Sequence, residues 1–127
     1  MNSDRLYLAQ ILEAIGYIEQ DIGGGQDVFL SDRRVRQAIL LNLQIIGEAV
    51  KRLSQTTREL APHIPWRMIA GLRDALVHNY DGVNPHRIWD IAQTDIPRLR
   101  STISALASIV ESQSKDEASA DDAPPVQ

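Results

Sequence analysis

Apolar residues recur at spacings of three and four along most of this chain. Leu8, Ile11, Leu12, Ile15, Ile18 and Ile22 form one such stripe. It predicts an amphipathic helix over residues 4–22, capped by Asn2, Ser3 or Asp4. Gly23, Gly24 and Gly25 end it, because three successive glycines lose too much backbone entropy to stay helical. No helix start and no lysine follow them directly, so they read as a flexible loop and not as a phosphate cradle. A second stripe runs through Val35, Ala38, Ile39, Ile45, Ile46, Ala49, Val50 and Leu53. It predicts a helix over 32–54 with Ser31 or Asp32 as its cap. Asn42 and Glu48 fall in or beside that stripe. A place at its edge, with hydrogen bonds or water, accounts for them; for Glu48 a subunit interface or an active cleft also does.

Residues 55–64 are a polar connection. Pro65 suits a first helical position, where its missing N–H costs nothing. The helix it opens, 65–79, turns Trp66, Ile69, Ala70, Arg73, Leu76 and Val77 inward. Asp81-Gly82-Val83 is a turn, and Asn84-Pro85 caps and starts the next helix. Ile96-Pro97 breaks or kinks that helix, since proline clashes with the preceding turn, and Asp95 can cap a restart. Leu99, Ile103, Leu106 and Val110 carry the stripe to about residue 112. The expected fold is all-α: an antiparallel four- to five-helix bundle, its last helix kinked at Pro97. Residues 1–112 form the helical domain. Residues 113–127, rich in Ser, Ala, Asp and Pro, are expected as a disordered acidic tail.

Composition narrows the function. The formal net charge is -4, but the tail alone sets Lys115 against Asp116, Glu117, Asp121 and Asp122, so the body is close to neutral. That excludes a broad basic surface for nucleic acid and leaves room for a local basic pocket. Every cation except Lys51 and Lys115 is arginine, which suits bidentate contact with phosphate or carboxylate. Arg33, Arg34 and Arg36 read as a solvated face or as an RNA-contacting edge. The absence of cysteine excludes disulfides and thiolate metal sites. His63, His78 and His86 lack recognisable metal-ligand spacing, so no metal and no cofactor is expected. With neither a membrane-length apolar run nor a signal-peptide layout, the expected location is the cytoplasm.

The candidate chemistry is concentrated in Gly71–Tyr80, where Arg73, Asp74, His78 and Tyr80 crowd the end of a helix. Asp74 and His78 are an i, i+4 pair, so the carboxylate can orient the imidazole and favour its protonated form. Arg73 and His78 stand about 140° apart around the axis and can still border one cleft. Histidine transfers protons near neutral pH, and arginine stabilises charge developing on phosphate. Together they suit cleavage of RNA by its own 2′-hydroxyl. The same residues also make an ordinary capping and salt-bridge cluster, and Tyr80 alone reads as a half-buried packing residue.

Arg73, four residues, His78, one residue and Tyr80 match the R-x4-H-x-Y motif of the HepT-like (DUF86) toxins of the HEPN superfamily. The stretch from Asn42 to Leu53 resembles that family's second-helix signature. Ile64-Pro65-Trp66 leading to Arg73, Ile88-Trp89 and Asp95–Leu99 resemble its later helices. The likeness covers about residues 4–110. It implies a homodimeric HEPN bundle acting as a metal-independent endoribonuclease on RNA, the toxin of a type VII toxin–antitoxin pair. Its partner would be an MNT-type nucleotidyltransferase antitoxin that silences it by AMPylation. By the same resemblance Arg73 and His78 are catalytic, Asp74 orients one of them, and Tyr80 is the modified residue. The alternatives are a non-catalytic helical subunit that docks a nucleotidyltransferase, or a plain dimeric bundle.

Overall fold

The computed structural model describes the backbone of residues 2–78 and 82–121, and side chains over 3–76 and 82–113. The helices are α1 (Asn2–Ile22), α2 (Gln26–Ser31), α3 (Arg33–Arg52), α4 (Gln55–Glu59), α5 (Trp66–His78), α6 (Pro85–Asp90) and α7 (Ile96–Asp121). A π-helical turn, Ile91–Asp95, joins the last two. There is no strand among the described residues. The protein is an all-α bundle, as its aliphatic stripes require.

α1 lies between α3 and α7, and α5 packs on α3. Leu8, Ile11, Ile15 and Ile18 of α1 are wholly buried, facing Ile39, Ile46 and Val50 of α3 and Ile103 of α7 within one core. Polar contacts show the directions of the chain. Asp4 at the start of α1 meets Ser54 just past the end of α3. Arg5 pairs with Glu111, and Glu19 near the end of α1 pairs with Arg100 near the start of α7. α1 is therefore antiparallel to both neighbours.

Most expected boundaries hold. Asp32 caps α3, accepting from the Arg34 N–H, and Asn84 caps α6 ahead of Pro85, accepting from the His86 N–H. Trp66 is a core residue whose indole N–H reaches the carbonyls of Arg58 and Ala61. Gly25, at φ 90°, occupies the left-handed region that only glycine enters cheaply.

Several expectations need correction. The glycines are followed directly by a helix, because α2 is anchored by Phe29, whose ring packs 5.4 Å from that of Trp89. Six residues are too few to show a stripe. The connection over 55–64 likewise contains α4, nucleated by Ser54, which accepts from the Thr57 N–H. Pro65 precedes the first turn of α5, its carbonyl accepting from the Ile69 N–H. Ile45 is exposed and Leu43 is buried in its place. The irregularity at Pro97 takes the form of the π turn before it. There the Ile96 N–H donates to the Ile91 carbonyl, five residues back. This wider turn relieves the crowding of the proline ring against the preceding carbonyl. Asp95 lies inside the turn and caps no restart. α7 continues to Asp121, past the end at residue 112 that the stripe predicts.

Asp4 is not the cap of α1. It is 2% exposed and accepts from the Ser54 N–H at 2.9 Å, from the Ser54 hydroxyl, and from the Thr57 hydroxyl at 2.7 Å. It thereby ties α1 to the α3–α4 corner. Burial raises the pKa of this carboxyl, but the hydrogen bonds from Ser54 and Thr57 together outweigh it and hold the group below its ordinary value. A pKa lower in the folded than in the unfolded chain contributes stability above the unfolded value, about 3.9, and loses it as pH falls through the folded one. Asp4→Ala is expected to destabilise the bundle by about 2 kcal/mol. It should also flatten the acid limb of the stability–pH profile; chemical denaturation at pH 7 and below pH 4 measures both.

Candidate functional site

The site is assembled where α3 and α5 touch. A Cβ placed on Gly47 would lie 2.5 Å from the Arg73 Cβ and 3.1 Å from the Ile69 carbonyl oxygen. No real side chain tolerates the first of these distances, so the two helices pack backbone to backbone here. The next residue on α3, Glu48, then reaches the Arg73 guanidinium, with Oε2 3.4 Å from Nε. On the other side, Arg73 Nη1 donates to Asp74 Oδ1 at 3.2 Å. Lys51, one turn along α3 from Gly47, donates to that same Oδ1 at 2.7 Å. Arg52 Nε donates to Glu48 Oε1 at 3.2 Å. The result is a row of alternating charge: Arg52, Glu48, Arg73, Asp74, Lys51.

These side chains are between 34% and 57% exposed. Ion pairs at such exposure contribute at most about 1 kcal/mol each, so the row does little to hold the bundle together. It orients groups instead. Hydrogen bonds from Lys51 first, and then from Arg73, hold the Asp74 carboxyl below its ordinary pKa. Asp74 is thus a fixed anion beside the guanidinium.

Of the residues expected from the sequence, Arg73 and Asp74 are brought together, both half-buried on α5. His78 is the last residue of α5, one turn beyond Asp74. Its side chain lies outside the described residues, as does Tyr80 altogether. Glu48 lies partly exposed at the edge of its stripe, where it accepts from Arg52 and faces Arg73. Lys51 and Gly47 were not expected as site residues. The available signal was their spacing on α3 with Glu48, and a glycine inside a buried stripe.

Two clefts of similar size flank α3. One, of about 490 Å³, is lined mainly by apolar side chains such as Leu43, Ile69, Leu72 and Ile96, and does not reach Arg73. The other, of about 470 Å³ between α1 and α3, includes Glu48 and Arg52 together with Tyr7, Tyr17 and Asn42. Only the second borders the charged row. No group of three or more histidine, aspartate or glutamate side chains converges as a metal site among the described residues. No helix of the described residues is long and apolar enough to cross a membrane.

Fold and site together describe an all-α bundle with an oriented arginine one turn and a half before a histidine at a helix end. Comparison with known proteins gives that description a family. The Ribonuclease HepT-like family matches residues 11–106, and the chain belongs to it. A protein of Caldanaerobacter subterraneus named as a candidate RNase is 38% identical over 104 residues, covering 81% of this chain and 93% of its own length. A Thermococcus cleftensis protein named as a probable ribonuclease HepT is 37% identical, covering 82% of this chain and 96% of its own. A Methanocaldococcus jannaschii protein, also named as a candidate RNase, is 31% identical, covering 81% and 92%. No solved structure matches the chain.

Gly47→Ala must push α3 and α5 apart or displace Arg73. It is expected to cost about 1–3 kcal/mol, as overpacking at a tight contact does. Thermal melting measures the loss, and an Ala variant as stable as the parent would refute the close approach.

Proposed function

We propose that this protein is a metal-independent endoribonuclease, the toxin of a HepT-type toxin–antitoxin pair silenced by AMPylation of Tyr80. The reading is supported above all by the guanidinium of Arg73, oriented between Glu48 and Asp74 within a chain of ribonuclease kinship. In this reading RNA is cut by its own 2′-hydroxyl. The 2′-oxygen forms a bond to phosphorus as its proton leaves, and the 5′-oxygen of the next nucleotide departs as it gains one. A 2′,3′-cyclic phosphate and a 5′-hydroxyl result. His78 is the proton-transfer group. Arg73 binds the phosphate and stabilises the crowded dianionic transition state. Asp74 supports Arg73. A homodimer would bring two copies of α5 to one cleft and so supply two histidines.

The silencing partner is an MNT-type nucleotidyltransferase. The Tyr80 oxygen would bond to the α-phosphorus of ATP and release pyrophosphate. AMP so placed adds a bulky anion two residues from His78, where it blocks RNA and competes for Arg73. One observation favours the alternative of a non-catalytic docking subunit: Arg73 already faces two carboxylates, as a purely structural arginine does.

Cleavage of single-stranded RNA by the purified protein in excess chelator separates the two readings. His78→Ala and Arg73→Ala are each expected to abolish cleavage and growth inhibition while leaving helix content and melting temperature close to the parent's. Either variant retaining full activity overturns the assignment. Tyr80→Phe is expected to stay toxic when the nucleotidyltransferase and ATP are present, and intact-mass spectrometry should show no added AMP.

A further inference from the structure

The structure assigns Glu48 a role in the site: it is the positioning residue that sets the plane of the Arg73 guanidinium. This inference rests on the ribonuclease reading for its catalytic consequence, but not for its geometry. Three separate constraints act on Arg73. The glycine at position 47 fixes where its Cβ sits, because the α3 backbone lies against it. The Glu48 carboxylate faces Nε. The Asp74 carboxylate accepts from Nη1. The Nη1 hydrogen bond to Asp74 and the Nε ion pair with Glu48 engage different corners of a rigid planar group, so together they restrict its rotation as well as its position.

Each constraint has a distinct source. Asp74 is the chain neighbour of Arg73 and moves with it on α5. Glu48 belongs to α3, and is held there by Arg52 one turn along the same helix. It therefore refers the guanidinium to a second helix. Without it, the Gly47 contact still places the Cβ, but the guanidinium keeps only the contact on its own helix and loses its direct one to α3. The exposure of the pair argues for the same role. At 34% and 40% exposed it adds little stability, so its effect falls on geometry. An arginine misplaced by about 1 Å costs up to about 100-fold in rate, through contacts made in the transition state.

The test has two independent readouts in the full-length protein. The first is kinetic. Glu48→Gln keeps the shape and removes the charge; it is expected to lower kcat for RNA cleavage about 10- to 100-fold, with KM within about twofold and the melting temperature unchanged. Glu48→Asp keeps the charge and should recover part of that loss. Glu111→Gln breaks the comparably exposed Arg5–Glu111 pair and should leave kcat as it is. The second readout needs no activity. The Arg73 Nε–Hε resonance, assigned by its disappearance in Arg73→Lys, should be sharp in the parent and broadened in Glu48→Gln.

If the parent cleaves RNA and Arg73→Ala does not, a Glu48→Gln protein with parental kcat overturns the positioning role. A kcat loss that tracks a fall in melting temperature also overturns it, since it marks a merely structural residue. If the parent cuts no RNA, the ribonuclease reading fails by itself. The resonance then decides the positioning role: broadening supports it, and an unchanged signal refutes it.

Discussion

The site depends on one close approach, that of the α3 backbone to Arg73 at Gly47. The two cross-helix pairs of the charged row, Glu48–Arg73 and Lys51–Asp74, follow from it. A residue with a side chain at this position would hold the helices apart, and Glu48 and Lys51 would no longer reach across to α5. With glycine there, three residues within one turn and a half of α3 line up against two consecutive residues of α5. The approach is sustained by apolar packing on either side, through Leu43, Ile46 and Val50 of α3 and Leu76 of α5. Burial energy places the helices, and the exposed charges use the placement. This division matters because the ion pairs are too wet to hold the helices themselves.

The core was legible because aliphatic stripes leave little choice. Ile11, Ile15 and Ile18 can be buried together only on a helix, and so can Leu99, Ile103 and Leu106. What could not be read was short or non-local. α2 and α4 are too brief for a period to show, and one is held by an aromatic contact to Trp89 sixty residues away in the chain. Asp4 at the head of an apolar stripe looks like a cap. Its actual partners, Ser54 and Thr57, lie just past the far end of α3, at the start of α4, and only the antiparallel packing brings them there. Pro97 signalled an irregularity correctly, but sequence does not distinguish a break from the π turn that lets the helix run through.

The candidate site divides in the same way. The i, i+4 relation of Asp74 and His78 and the helix end at His78 could be read from the chain. The pairing of Asp74 with Lys51 could not. Among the described residues the Asp74 carboxylate accepts from Lys51 and from its chain neighbour Arg73. Lys51 is over twenty residues distant in sequence and becomes a neighbour only through the Gly47 contact. Tertiary structure thus ties this carboxylate to α3 as well as to the arginine beside it.

Under the proposed function, these contacts bear on how a phosphate could enter. Arg73 faces Glu48 and Asp74, so an anion arriving at the guanidinium meets two carboxylates as well as the positive charges of Arg73, Lys51 and Arg52. The row carries three cations and two anions, a small net attraction, in a body that is otherwise near neutral. Such a site gains little from long-range steering. Under the proposed function it would discriminate by geometry, through a guanidinium restrained by Glu48 and Asp74. A phosphate that fits the plane gains oriented hydrogen bonds without reordering the side chain, and one that does not meets repulsion from Glu48 and Asp74. Restraining carboxylates beside a phosphate-binding arginine weaken affinity for anions in general and sharpen the response to one geometry. That is the balance a transition-state contact requires.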